Sequence, residues 1–225
     1  FTLGDFEKGE WTLLYRSIDA AGNIEQEKEL KVVSGDVFDD ESSNVTSGTV
    51  CLIWITDDEF TFNSPEIIKL KEILDGFFVY YKLVLTKEEF IDEFRTNQYH
   101  VYFILGGNSN LGKLPSAEFK EHIKLGRGVV SSGFHNFTGE GNESELFGIK
   151  VNGKTVGETH TITIENSLIS NSEVLTVSGE LEKIEITGPF TEQFAYYEVD
   201  GSSYPAITVC NYGEGKAVYF GFDLL

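Results

Sequence analysis

Between residues 50 and 132 four apolar segments alternate with amphipathic ones, and this rhythm constrains the fold more than any other feature of the chain. Residues 50–56 (VCLIWIT) are apolar almost without a break, the pattern of a strand covered on both faces. Ser64, Pro65 and Glu66 then supply an N-cap, a proline at the first helical position and an acidic first turn. Ile67, Ile68, Leu70, Ile73 and Leu74 follow at helical spacing as far as Gly76. Residues 77–85 read as the next strand. Thr86 and Glu89 form a capping box that opens a second helix, with Phe90, Ile91 and Phe94 on its apolar face. Residues 101–105, 116–125 and 128–132 continue as strand, helix and strand, with Gly126 as a C-cap. Alternation at this spacing predicts right-handed crossovers. The expected fold class is therefore α/β: a doubly wound, flavodoxin-like parallel sheet with helices on both faces.

The pattern changes outside that stretch. After Phe147, residues 161–164, 174–177 and 184–186 read as short strands, and residues 206–210 and 217–222 flank a turn at 211–215 as a C-terminal β-hairpin. At the other end, residues 11–18 and 27–33 flank a turn cluster at 19–23, which predicts a short N-terminal β-hairpin. Residues 34–48 (SGDVFDDESSNVTSG) carry no apolar periodicity and read as a linker. The expected organisation is a terminal hairpin over 1–33, a linker over 34–48 and an α/β domain over 49–225.

Charge narrows the partners. Seventeen Lys and Arg against 37 Asp and Glu give a formal charge of −20, a field that repels phosphate backbones and excludes nucleic acid as an expected partner. The two cysteines, Cys51 and Cys210, each sit inside an apolar run, where cysteine behaves as a small hydrophobe; whether they pair stays open at this level. No apolar stretch reaches the ~20 residues of a membrane-crossing helix. The sequence contains no Met and begins at Phe1, which suggests a processed piece of a longer protein.

In open α/β sheets ligands bind beyond the carboxyl ends of the strands. Here those ends carry Asp57, Asp58 and Glu59; Gly106, Gly107 and Asn108; Phe134 and His135; and Phe222 and Asp223. The expected ligand-binding set is Asp57, Asp58, Gly106, Gly107, Asn108, Phe134 and His135. Candidate catalytic residues are His135, Ser132 and Asp223, since a Ser-His-Asp arrangement is defined by geometry rather than spacing. The segment around Ser132 is not a Gly-x-Ser-x-Gly elbow. No cofactor is expected. Asp57, Asp58 and His135, with Glu59 and His160 as further donors, are the candidate ligands should a metal bind, carboxylates favouring calcium and a histidine among them zinc. The aromatics Phe60, Phe62, Phe134, Phe137, Tyr196 and Tyr197 are candidates for stacking on sugar rings.

Two resemblances add to this reading. The segments VCLIWITDD, YHVYFILGG, RGVVSSGFHNF, ELFG, ETHTITIE and YGEGKAVYFGFD, in that order, resemble the class I glutamine-amidotransferase-like superfamily over residues 49–225, and within it the trehalose-utilisation-like branch. Active members place a Cys in the turn after the fourth strand and a His near the end of the domain. The resemblance aligns His135 with the first position and Phe222 with the second, which implies loss of the amidotransferase nucleophile and its base. The Gly106–Gly107 pair is retained. Separately, GEWTLLYRSIDAAGNIE resembles the closing hairpin of bacterial immunoglobulin-like surface modules, which implies an extracellular or cell-surface location and a multi-module parent.

Together these observations predict a non-catalytic, amidotransferase-like domain of a secreted or surface protein. Its partners would be other modules of the same parent or a carbohydrate. The alternative is a carbohydrate-active or metal-dependent hydrolase built around His135.

Overall fold

The chain forms two compact units, Phe1–Thr46 and Ser47–Leu225. The computed structural model describes residues 9–15, 28–34, 50–76, 80–106, 116–132, 143–155, 157, 159–164 and 173–225. In the first unit β1 (Gly9–Tyr15) and β2 (Lys28–Ser34) pair antiparallel, Gly9 opposite Ser34 and Tyr15 opposite Lys28. The turn cluster at 19–23 lies outside the described residues.

The second unit begins with the predicted alternation. β3 (Val50–Ile55) leads into α1 (Pro65–Gly76), β4 (Tyr80–Val84), α2 (Lys87–Arg95), β5 (Val101–Leu105), α3 (Ser116–Lys124) and β6 (Gly128–Ser132). Thr86 caps the start of α2, its Oγ1 accepting the Glu89 N–H at 3.3 Å, which is the N-cap half of the predicted capping box. A short α4 (Glu143–Phe147) then precedes a run of strands, β7 (Ile149–Lys154), β8 (Thr159–Ile164), β9 (Glu173–Ser178), β10 (Glu182–Ile186), β11 (Thr191–Val199), β12 (Ser202–Tyr212) and β13 (Gly215–Phe220).

The expected helix-flanked, doubly wound parallel sheet is not what these elements build. The described strands make one nine-stranded mixed sheet, in the order β4-β3-β5-β6-β13-β12-β11-β8-β9, with β7 and β10 forming a separate two-stranded ribbon. Strands β4, β3, β5, β6 and β13 run parallel. Strands β12, β11, β8 and β9 continue the same sheet antiparallel. The physical reason is the connection between strands. Parallel neighbours need a long crossover, which the helices α1 to α3 supply, whereas β11, β12 and β13 are joined by tight turns that can only return antiparallel. With four of the sheet's nine strands antiparallel, and the pairs β1–β2 and β7–β10 antiparallel as well, the described protein is mostly β.

Helices α1 to α3 cover the parallel half, and α4 reaches across to β12. Ile67 and Leu74 of α1 pack with Cys51, Ile53, Ile55 and Leu105 on one face. Phe90 and Phe94 of α2, Phe119 and Ile123 of α3, and Leu146 and Phe147 of α4 pack with Leu52, Trp54, Tyr102, Ile104 and Tyr219 on the other. On the antiparallel half β10 lies against β12, and a third cluster gathers Ile162, Leu181, Ala195, Tyr197, Ala206, Ile207 and Phe222.

The cysteine question is settled by strand order. Cys51 is on β3 and Cys210 on β12, four places apart in the sheet, which at the usual strand spacing is roughly 19 Å. Both are free and buried. Burial pushes the Cys51 thiol up to about 11, so it stays protonated and unreactive at neutral pH.

Candidate functional site

Register sets the level of the strand ends. Ile55 lies opposite Leu105, Ile104 opposite Ser131, and Ser132 opposite Phe220. Strands β3, β5, β6 and β13 therefore stop side by side, and the residues just beyond them line one end of the sheet. Thr56 is 8% exposed and ties two of these ends together. Its N–H donates to the Leu105 carbonyl at 2.8 Å, and its hydroxyl lies 2.9 Å from the carbonyls of both Leu105 and Gly106. This closeness requires glycine at 106. Its φ is +102°, and a Cβ there would stand 3.0 Å from Thr56 Oγ1 and 3.3 Å from the Asp57 nitrogen. Of the predicted Gly106–Gly107 pair, Gly107 lies outside the described residues, as do Asn108, Phe134, Phe137 and His135.

Beyond β13 the chain turns across the strand ends. Phe222 is 5% exposed and packs in the cluster of the antiparallel half, while Leu225 packs with Phe60 against the core around Ile55 and Leu105. The crossing brings Asp223 near enough to Asp57 for their charges to interact. Asp223 is raised from its ordinary value, mainly by burial; backbone N–H groups of Leu225 and Leu224 oppose the rise and the Asp57 carboxylate adds to it. Asp223 Oδ1 accepts the Leu225 N–H at 3.1 Å, and Asp57 Oδ1 accepts the Glu59 N–H at 2.9 Å. Of the predicted site residues, the described structure thus brings Asp57 together with Gly106 and with Asp223.

The others stay apart. Ser132 is fully buried, and its Oγ has no hydrogen-bond partner among the described residues, so nothing described activates it as a nucleophile. Asp58 is exposed in the turn after β3. His160 lies on β8, six places from β3 in the sheet, roughly 29 Å away, with its Nε2 3.1 Å from Thr155 Oγ1. Of the remaining histidines, His100 Nδ1 accepts the Val50 N–H at 3.2 Å and His122 Nδ1 lies 3.0 Å from the Tyr102 hydroxyl. Among the described residues no three His, Cys, Asp or Glu side chains converge on a point that a metal could occupy. Of the aromatics proposed for sugar stacking, Tyr197 is 1% exposed and belongs to the core; Phe62, at 47%, stands in solvent. It flanks an open groove of about 340 Å³ with Lys82, Glu89, Asp92 and Glu93, beside the edge strand β4. Tyr99 and Lys82 both bond to Glu93 there.

One polar residue of consequence escaped the sequence reading. Glu182 is 2% exposed, and burial raises its carboxyl to about 7 against the opposing hydrogen bond from Tyr219 and the charge of Lys154. A signal was present: Glu182, Ile184 and Ile186 share one parity of a short strand, so the glutamate falls on the apolar side of the alternation.

The Asp57–Asp223 pair makes a pH-dependent prediction. Because the folded value of Asp223 is raised, its penalty is absent at low pH and develops as pH rises through that value. Asp223→Asn keeps the acceptor for Leu225 and removes the charge. It is expected to stabilise the protein at pH 7, on the order of 0.5 kcal/mol for a partly screened group, and to change nothing at pH 3. Thermal melts at both values check this.

No family model matches the sequence, and no curated protein matches it. Solved structures share the fold. A ThuA-like protein from Bacteroides uniformis superposes with a TM-score of 0.60 at 12% identity, over 81% of this chain and 85% of its own. A ThuA-like protein from Parabacteroides merdae gives 0.58 at 11%, over 77% and 79%. The β-galactosidase of Bacillus circulans gives 0.57 at 13%, over 77% of this chain but 28% of the enzyme, so the shared region is a minor part of that protein. At these identities the likeness is one of fold. Among the described residues no helix is long and apolar enough to cross a membrane.

Proposed function

We propose that this chain contributes a non-catalytic domain of amidotransferase-like fold to a larger secreted or cell-surface protein, where it binds a partner or sets the geometry between modules. One observation carries the reading: the chain's own segment from Phe222 to Leu225 runs past the strand ends, from Phe222 in the cluster of the antiparallel half to Leu225, which packs half-buried against the cluster around Ile55 and Leu105. The described residues of that end offer the carboxylates of Asp57, Asp58, Glu59 and Asp223 and a buried serine without a hydrogen-bond partner among them. The position that the family resemblance assigns to the catalytic histidine is Phe222, and Cys51 and Cys210 are both buried within strands at other places. The surface location rests on the resemblance of residues 9–25 to the closing hairpin of immunoglobulin-like modules, and β1–β2 is a hairpin.

The Asp57–Asp223 pair favours the second reading, a hydrolase of the strand ends with His135 as its base, because a half-buried carboxyl whose value is raised beside a second carboxylate, as at Asp223, is also how acid–base chemistry is arranged. One assay separates the two. The purified chain is incubated with glutamine, with aryl esters and with a panel of aryl glycosides, with and without calcium and zinc. We expect no turnover above that of the His135→Ala variant. Turnover that His135→Ala or Asp223→Asn abolishes would replace the first reading with the second.

A further inference from the structure

The β7–β10 ribbon is not part of the main sheet, so something must hold it there. Ile149 of β7 and Ile184 of β10 are buried in the main core; at one end the Thr191 hydroxyl of β11 donates to the Phe147 carbonyl at 3.1 Å, and at the other a denser set of hydrogen bonds surrounds Leu181 and Glu182. The Glu182 N–H donates to the Gly221 carbonyl at 2.8 Å, and the Tyr197 hydroxyl of β11 donates to the Glu182 carbonyl at 3.0 Å. The Tyr219 hydroxyl of β13 donates to Glu182 Oε2. Next to it, Thr155 N–H donates to the Leu181 carbonyl at 2.7 Å, Leu181 N–H donates to Thr155 Oγ1 at 2.9 Å, and the same hydroxyl meets His160 of β8. Gly221 permits the approach, since a Cβ there would come 2.7 Å from Ile184 Cδ1.

The floor under this junction is polar. Thr208 of β12 lies opposite Tyr219, and Tyr219 lies opposite Ser131 of β6, so all three point from one face of the sheet. The hydroxyls of Ser131 and Thr208 are buried and have no partner among the described residues. A buried hydroxyl without a partner favours any state that lets water in. The apolar contacts of Ile149 and Ile184 hold the ribbon down, while the unpartnered hydroxyl of Thr208 on β12, against which β10 packs, opposes docking, and one of the polar contacts in the balance is a carboxyl group.

We propose that Glu182 is the catch of a pH-operated clasp: with its carboxyl protonated the β7–β10 ribbon stays docked on the sheet, and with it ionised the ribbon lifts from β12 and β13. The ionised form leaves a charge in a site that is closed to water. The groups facing it are Tyr219 from β13, Tyr197 from β11 through the backbone carbonyl, Lys154 from β7, and His160 from β8 by way of Thr155. Lys154 also pairs with Glu180 at 3.3 Å near the surface. Burial outweighs the help that Tyr219 and Lys154 give, which places the transition near neutrality. The sign follows: the docked form holds the proton more tightly than the lifted form. Docking is therefore fully favoured below the ordinary glutamate range, weakens as pH rises to about 7, and is level above it.

Hydrogen–deuterium exchange of the whole chain between pH 5 and 8.5, corrected for the intrinsic pH dependence of amide exchange, tests this. In the wild type, protection of the β7 and β10 amides is expected to fall by roughly tenfold per pH unit up to about 7 and then to level off. Amides of β3 and β5 should not change. In Glu182→Gln the ribbon should show no such slope. In Tyr219→Phe the break should move to higher pH, because the phenol's hydrogen bond favours the ionised carboxylate; a packing role alone would leave it in place. The same slope in wild type and Glu182→Gln, an unmoved break in Tyr219→Phe, or a fall in β3 and β5 that keeps step with the ribbon would each overturn the proposal.

Discussion

Phe94→Ala is expected to destabilise the protein by about 3–5 kcal/mol, the usual range for removing a buried aromatic ring. Phe94 is 1% exposed, at the centre of the face where α2 and α3 meet the parallel strands. Its ring centroid lies 4.4 Å from that of His122, 5.4 Å from Tyr102 and 5.6 Å from Phe119. These neighbours come from α3 and β5, which are fixed on both sides, so the space left behind cannot collapse readily. For a unit of this size the loss corresponds to a fall of roughly 6–20 °C in melting temperature. Differential scanning calorimetry checks it. A fall of under 2 °C would mean that the cluster repacks and does not hold α2 to the sheet.

Gly215→Ala should be about as damaging, at about 3 kcal/mol or more, for a different reason. Gly215 opens β13 and sits against the C-terminal end of α3. A Cβ there would fall well inside contact distance of the backbone carbonyl oxygens of Ile123 and Arg127. Backbone atoms cannot rotate away as a side chain can. Either the β12–β13 turn lifts off α3, breaking the hydrogen bond from Glu214 N–H to the Lys124 carbonyl, or the end of α3 unwinds. Since β13 carries the chain to Phe222 and Asp223, the variant should also disturb the crossing over the strand ends. The readings are a lowered midpoint in urea and, by NMR, shifted resonances at both Lys124 and Asp223. A shift confined to the turn would show that the strand ends are buffered from it.

The two largest effects thus fall at junctions that the sequence did not equally reveal. Phe90 and Phe94 were legible, because four-residue spacing after a capping box can place them only on one helix face. The collision at Gly215 was not. A glycine in a turn reads as local punctuation, and its packing partner lies about ninety residues away on α3.

The same division runs through the site. Asp57, Gly106, Ser132 and Asp223 were found from sequence because each follows an apolar run, and the ends of runs can be counted. Their arrangement could not be counted. That Asp223 reaches Asp57 depends on where Leu225 packs, and that Ser132 is buried without a partner depends on what lies over β6. Two strands were also missed. β7 (IKVNGK) is mostly polar, and β11 (TEQFAYYEV) blurs its alternation where its register with β12 shifts.

What the sequence determined by itself is the local grammar: continuous apolar runs for β3, β5 and β6, caps and apolar faces for the helices between them, and a turn between β12 and β13. These follow from backbone geometry and from side-chain spacing within a few residues, so neighbours in the chain suffice. What only the tertiary structure decided is partnership between distant segments. It adds β12, β11, β8 and β9 to the parallel strands as one mixed sheet, and keeps β7 and β10 out as a ribbon. Cys51 and Cys210 end four strands apart, and Glu182 is closed in beneath Tyr219. An apolar face specifies that it must be covered, but hydrophobic contact is non-directional, and many segments of similar character can supply the cover. The choice among them is made by the whole chain at once.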